Sequence, residues 1–303
     1  MISAHPGLPE FDYIRPKTLA EASEFLAEHP GQARPFLGGT DVFVRMRDGI
    51  WKEKFLVDVK NLDGTKEIRF DPETGLTLGA GVNMNQVIAS EEIRSCYPIL
   101  AQACQTVASY PLRTRATIAG NLCNASPAGD TIGACLVSGG YLHVHGVDGL
   151  RQEPLSGFFL GPGKTTLKPG DIVTAVSFPP PRPGQAGTYI KLGRNALGDL
   201  AIVGVTALGY PDRGLPSGFR FRIALASVAP IPLVATQAET LLEENPVDEA
   251  SISAAAQAAM DACQPIDDVR GSAQYRKRMA RNLTRKALRQ VWGELKPVME
   301  LQN

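Results

Sequence analysis

Leu19, Ala22, Phe25 and Leu26 recur at helical spacing behind Thr18 and Glu21, a pair that fits a capping box. The pattern predicts a helix over residues 18–30 that ends near Gly31. The apolar run "RPFL" then reads as a short strand entering Gly38-Gly39. Thr40 or Asp41 could cap a short helix over "VFVRMRDG", and "KFLVDV" reads as a second strand. The first sixty residues therefore predict a small βαβ-type unit built around a glycine turn. From Gly75 the pattern changes. "GLTLGAGV" reads as a strand, Asn83 caps a short helix through Ile88, and "PILAQACQTVAS" has helical spacing up to Pro111. "ATIAGNLCNASPAGD" reads as a long irregular stretch, "DTIGACLV" as a short helix, and "YLHVHG" and "DIVTAVSFP" as strands.

"PPPRPGQAG", Pro179 to Gly187, excludes regular structure and marks the expected domain boundary. Strands follow at "GTYIKLG", "AIVGVTAL" and "FRFRIALASV". The last alternates Phe219, Phe221, Ile223 and Leu225 with Arg220, Arg222 and Ala224, as a half-buried strand does. The tail predicts two helices, over "VDEASISAAAQAAMDAC" and "SAQYRKRMARNLTRKALRQVWGEL", capped by Asp248 and Ser272.

Charge and composition narrow the function. Lys plus Arg equals Asp plus Glu, so no basic surplus points to nucleic acid and no basic amphipathic stretch to a membrane surface. No apolar run reaches spanning length, and "MISAHPGLPEFDY" lacks a charged n-region and an apolar h-region. The expected location is cytoplasmic, without membrane insertion. Cys96, Cys104, Cys123, Cys135 and Cys263 form no CxxC pair and are expected to be reduced thiols, mostly in cores. The clustered cysteines of an iron–sulfur site are missing.

Two glycine motifs fail on inspection. "GPGKTT" has Phe158 where a phosphate loop needs its first glycine, and "GAGVNM" has Met84 where a dinucleotide fingerprint needs its third. His143 and His145 share a strand face without identifiable further ligands. There is no G-x-S-x-G elbow and no H-E-x-x-H. With four histidines in the chain, reactive chemistry is expected from a cofactor.

"FLGGTDV" and "ATIAGNLCNASPAGD" are more informative as a pair. Both leave backbone amides uncovered by Cβ atoms, and both carry small polar side chains at Thr40, Thr117, Asn121, Asn124 and Ser126. Facing each other, two such loops could hold a pyrophosphate in anion nests. Each alone also reads as a tight turn.

The order "FDYIRPKTLAEASEFLAEH", "PFLGGTDVFVRMRDG", "ATIAGNLCNASPAGDTIGACL", "FFLGPGKTTLKPGDIVTAVSFP", "YIKLGRNALGDLAIVGV" and "DVRGSAQYRKRMARNLTRKAL" resembles one family. It is the FAD-binding medium subunit of the molybdenum-containing hydroxylases, which include carbon monoxide dehydrogenase, bacterial xanthine dehydrogenases and aromatic hydroxylases. The resemblance covers nearly all of residues 10–292. It implies an α+β chain: a two-subdomain FAD-binding fold of the vanillyl-alcohol oxidase type over residues 1–180, divided at about residue 60. A small domain over 181–303, with a three-stranded antiparallel sheet and a helical bundle, would follow. It also implies site residues. Leu37, Gly38, Gly39, Thr40, Asp41 and Val42 match the first FAD loop, around the diphosphate. Ala116, Thr117, Gly120 and Asn121 match the second. Cys123 matches a position beside the flavin ring, and Asp130 one that bonds toward the adenosine part. Leu167 and Lys191 match positions near the adenine or isoalloxazine ends. Asp199 and "DVRGS" match family positions that can be structural.

The implied role is electron transfer. A large partner subunit would hold the molybdenum cofactor, and a small one with two [2Fe-2S] clusters would feed electrons to FAD, for delivery to NAD, a quinone or another acceptor. The family commonly assembles as a dimer of heterotrimers. Nothing in the chain matches the extra [4Fe-4S] insertion of some relatives. The rival readings are a stand-alone flavoenzyme of the same fold and a scaffold that has lost FAD.

Overall fold

The computed structural model describes residues 7–195 and 198–300. The extreme amino terminus, and Ala196 and Leu197 of the "YIKLGRNALGDLAIVGV" block, lie outside the described residues. The first unit runs β1 (Asp12–Ile14), α1 (Leu19–Glu28), β2 (Ala33–Phe36), α2 (Val42–Arg47) and β3 (Phe55–Asp58). Its three strands are parallel, in the order β1-β3-β2. Thr18 caps α1 by accepting from the Glu21 amide, and Ala22 and Leu26 bury its apolar face against Val57 and Val59.

The second unit comprises β4 (Ile68–Asp71), β5 (Gly75–Gly79), α3 (Met84–Ala89), α4 (Glu91–Cys96), α5 (Pro98–Gln105), α6 (Tyr110–Arg113), α7 (Ile118–Asn124), α8 (Asp130–Val137), β6 (Tyr141–Gly146), β7 (Gly149–Pro154), β8 (Phe159–Gly161), β9 (Lys164–Thr165) and β10 (Ile172–Phe178). Five strands form an antiparallel sheet, β4-β5-β10-β6-β7, and β8 pairs with β9 apart from it. One sheet face presents Leu76, Leu78, Leu142, Val144, Val176 and Phe178 to a core shared with Leu100, Cys104, Leu122, Ile132 and Cys135. Fully burying each such leucine is worth about 1.5–3 kcal/mol. On β6, Leu142 and Val144 point into this core while Tyr141, His143 and His145 take the other face. His143 Nε2 shares a 2.8 Å hydrogen bond with Ser177 Oγ.

Several expectations are corrected here. The stretch read as irregular, 116–130, contains α7, whose cap is Thr117. Pro111 does not end a helix: α5 stops at Gln105, and Pro111 sits in the first turn of α6, where its missing N–H costs nothing. β10 and β11 (Ala186–Leu192) belong to different sheets, and the proline-rich segment that joins them already enters β11 at Ala186.

The last unit adds β12 (Val203–Pro211), β13 (Phe219–Ala226), β14 (Leu233–Val234), α9 (Thr236–Glu244), α10 (Glu249–Asp261) and α11 (Ala273–Glu300). Its antiparallel sheet, β11-β12-β13-β14, has three long strands and a two-residue fourth. In this unit the sequence pattern missed α9; its cap position is Ala235, with no side-chain bond to mark the start. This sheet packs on the second unit through α8. A Cβ on Gly133 would stand 2.5 Å from Thr206 Oγ1, so α8 reaches β12 only because that residue has no side chain. Among the described residues no helix is long and apolar enough to cross a membrane.

The "DVRGS" block has a structural use. Arg276 is 2 % exposed; its guanidinium donates to the Ile202 and Ser227 carbonyls and to Asp268 Oδ1, the last at 2.6 Å. Burial alone would raise the Asp268 carboxyl, but hydrogen bonds from Arg270 and Arg276 hold it well below the usual carboxylate range. A depressed folded-state pKa means that this contribution is fully present above the ordinary value of 3.8 and is lost as pH falls through the folded value. Asp268→Asn is therefore expected to lower stability at neutral pH by about 3 kcal/mol, since it leaves Arg276 as a buried charge without its anion. The deficit should shrink on acidification, as read by urea midpoints between pH 7 and pH 3.

Candidate functional site

A cleft of about 480 Å³ is lined by the β2–α2 loop, the start and end of α7, and the chain from Gly163 to Val173. Pockets of this size and composition are where small molecules and cofactors bind. The two glycine-rich stretches meet at its centre. Gly38 is there for a neighbour within the chain: a Cβ would stand far inside contact distance of the Arg115 carbonyl oxygen and 2.8 Å from its carbon. Arg115 in turn donates from Nε to the Gly38 carbonyl at 3.4 Å. Gly39 has φ +73, and a Cβ would lie 2.6 Å from the Phe36 ring. The two glycines thus bring the loops together and turn the chain. Among the described residues, the backbone amides of Gly38, Gly39, Thr40 and Asp41 donate to no acceptor within the chain. Asp41 is the cap residue of α2 but makes no side-chain cap bond; its Oδ1 instead accepts from Asn124 Nδ2 at 3.1 Å, joining the loops across the cleft.

The second loop is more regular than its composition suggests. Met84 donates its amide to the Ala116 carbonyl, and Thr117 Oγ1 accepts from the Gly120 amide at 2.9 Å. Ile118 is tied into the antiparallel bridge between Asn83 and Thr117, and the cleft is lined by Thr117, Gly120 and Asn121 and not by Ile118 or Ala119. α7 ends on Ala125 at φ 46, a left-handed cap on a non-glycine residue, and the Ala125 carbonyl accepts from Gly163. That bond ties the end of α7 to the β8–β9 hairpin. Asn121 Oδ1 accepts from Thr131 Oγ1 at 2.7 Å, which anchors it to α8. Cys123 lines the cleft, and burial pushes its thiol up to about 12, so it offers a neutral surface rather than a nucleophile.

Leu37, Gly38, Gly39, Thr40, Asp41, Val42, Ala116, Thr117, Gly120, Asn121, Cys123 and Leu167 all line the cleft. Asp130 and Lys191 do not. They are turned on each other at the seam between α8 and β11: Lys191 Nζ donates to Asp130 Oδ2 at 2.8 Å and to the Thr106 carbonyl at 3.0 Å, and Tyr189 donates its hydroxyl to Asp130 Oδ1 at 2.6 Å. Burial raises the Asp130 carboxyl while Lys191 and Tyr189 pull it down. Burial, with Asp130 beside it, pushes the Tyr189 phenol well above its ordinary value. Asp199, too, is engaged locally, by Arg194.

Sequence reasoning missed the wall formed by Arg34, Trp51 and Glu53, and the run from Lys168 to Val173. Neither carries a glycine signature or a recognisable spacing. Two buried acceptors on the cleft lining lack a donor, Asn124 Oδ1 and Glu53 Oε2. Asn124 cannot turn over to relieve this, because its other side faces the Asp41 carboxylate.

Free amides on one loop, a second loop of small polar residues facing them and an apolar flank suit an anionic dinucleotide-like cofactor. The family model described as the FAD binding domain in molybdopterin dehydrogenase matches residues 9–181, and that of the CO dehydrogenase flavoprotein C-terminal domain matches residues 188–291. The chain belongs to the FAD-binding medium subunits of the molybdopterin dehydrogenases. It is 29 % identical over 285 residues to the carbon monoxide dehydrogenase medium chain of Hydrogenophaga pseudoflava, covering 94 % of this chain and 98 % of that one. It is 28 % identical over 277 residues to the xanthine dehydrogenase FAD-binding subunit of Escherichia coli O157:H7, covering 91 % of this chain and 94 % of the relative. A solved structure of carbon monoxide dehydrogenase from Hydrogenophaga pseudoflava superposes with a TM-score of 0.89 at 30 % identity, over 94 % of this chain and 98 % of that one.

The residues present fit FAD. The free amides of residues 38–41, with Thr117, Gly120 and Asn121 opposite, suit a diphosphate.

Proposed function

We propose that this chain is the flavin-carrying electron-transfer subunit of a molybdenum hydroxylase complex. It would receive electrons from a small partner with [2Fe-2S] clusters, which are reduced in turn by a large molybdenum-cofactor subunit. The observation that carries the reading is the glycine loop whose free backbone amides at residues 38–41 face the second loop across one cleft, in a chain of this family. FAD, when bound, supplies a carrier that exchanges one or two electrons with its neighbours and passes them to NAD, a quinone or another acceptor. The chain's own residues bind and orient. The amides of Gly38, Gly39 and Thr40 hold the diphosphate opposite Thr117 and Asn121, and Asp41–Asn124 joins the loops beside it. Cys123 and Leu167 give the ring a neutral flank.

In this reading Asp130 and Lys191 act at a distance from the cleft lining, by fixing α8 against β11. The expected assembly is a dimer of heterotrimers. The test is to purify the chain with its native partners, record the visible spectrum and identify the released cofactors. FAD with iron–sulfur absorption and molybdenum is the expected result. FAD in a chain that purifies alone would favour a stand-alone flavoenzyme, and an intact complex without flavin would refute the electron-transfer role.

A further inference from the structure

The chain from Gly163 to Val173 forms one side of the cleft. Between β9 and β10 it runs through residues 166–171, which belong to no helix or strand. Leu167 lines the cleft in this stretch and rests against the core of the second unit. Its own backbone does little to hold it: among the described residues its one hydrogen bond runs from its amide to Thr165 Oγ1, at 3.4 Å. The residues on either side of it are tied down instead. Thr166 donates its hydroxyl to Glu153. On the other side Lys168 and Asp171 close a turn: the Asp171 amide donates to the Lys168 carbonyl at 3.0 Å, and the Lys168 amide donates to Asp171 Oδ2 at 2.6 Å. Gly170 takes φ +93 in that turn, and its carbonyl accepts from Ser23 Oγ of α1 at 2.7 Å. Arg151 grips the turn with both terminal nitrogens, one on each Asp171 oxygen, at 2.7 Å each. Burial alone would raise the Asp171 carboxyl, but the bonds from Arg151 and the Lys168 amide bring it below its ordinary value, so the grip is ionic.

Both outside ties, Glu153 and Arg151, come from β7. They stand two residues apart on that strand and so share a face, where a 3.3 Å ion pair joins them. β7 is an edge strand that buries none of its six residues, and its Leu150 is 74 % exposed. Such a strand adds little apolar burial. What it contributes is two side chains that bracket Leu167 from outside, while Arg151 itself stays off the cleft lining.

We propose that Arg151 is a positioning residue for the cofactor: acting through Asp171 and the 168–171 turn, it sets where Leu167 meets the bound FAD. The inference rests on the FAD reading and deepens it, by assigning the strap's geometry to a residue that touches neither cofactor nor cleft.

The test titrates the flavin-stripped full chain with FAD in four forms: wild type, Arg151→Met, Leu167→Ala and the double variant. Arg151→Met is expected to weaken FAD binding about tenfold where Leu167 is present, and by less than about twofold in the Leu167→Ala background, where the group it positions is gone. Arg151→Lys keeps the charge but not the paired geometry. It is expected to fall between, and the same comparison with it carries the test should Arg151→Met fail to fold. The visible circular dichroism of bound FAD reads the asymmetry of its surroundings, and should change in Arg151→Met in the same sense as in Leu167→Ala. An equal factor in both Leu167 backgrounds would reduce Arg151 to a general structural role and overturn the inference. FAD binding unchanged in Arg151→Met and Arg151→Lys would overturn it too. Wild-type protein that binds no FAD would overturn the FAD reading itself, and this inference with it.

Discussion

Gly38→Ala should weaken FAD binding by roughly a hundredfold, about 2.7 kcal/mol. The added methyl would be driven into the backbone of Arg115, and backbone cannot swing aside as a side-chain tip can. The loops would separate, opening both the free amides around Gly38 and the Asp41–Asn124 bridge. Gly39→Ala is expected to be milder. It meets the Phe36 ring, which can tilt, and adds about 1–2 kcal/mol for a left-handed non-glycine residue. Equilibrium dialysis of both variants against FAD checks the order. If Gly39→Ala proved the more damaging, the tight point would be the turn and not the approach of the second loop.

Lys191→Met should cost about 3–5 kcal/mol of stability, because it leaves the Asp130 carboxylate buried without its cation. In that variant the folded-state carboxyl holds its proton above the unfolded value. The penalty should therefore be small at low pH and grow as pH rises through the folded value. Adding Asp130→Asn should recover most of the loss, since it removes the stranded charge. Thermal and urea unfolding of the single and double variants measure this. Lost flavin with unchanged stability would instead make Lys191 a direct cofactor contact.

The legible part of the chain was where a local signal and the tertiary demand agreed. Thr18 and Glu21 announced α1, Asn83 and Gln86 form a full capping box at α3, and the alternation of β13 survives over Phe219 to Arg222 but gives way to burial on both faces from Ile223, where α8 packs. α7 was hidden because Gly120, Asn121 and Asn124 are poor helix formers, and only the Thr117–Gly120 bond marks its start. The glycine pair was recognised as a place of close approach, but the approaching group at Gly38 is the Arg115 carbonyl. No one-dimensional pattern contains a contact between residues seventy-seven apart. Arg34, Trp51 and Glu53 were invisible for a related reason: they form a wall through stacking and an ion pair, which only the folded chain displays. Asp130 and Lys191 were found as a resemblance to a cofactor site, and the fold places them in a seam.

The measurement that bears most directly on the central claim is a crystal structure of the FAD-loaded chain. Density for the diphosphate within hydrogen-bond distance of the amides of Gly38, Gly39 and Thr40, with the start of α7 opposite, is the expected result. A diphosphate bound elsewhere, with those amides left to solvent, would contradict the account.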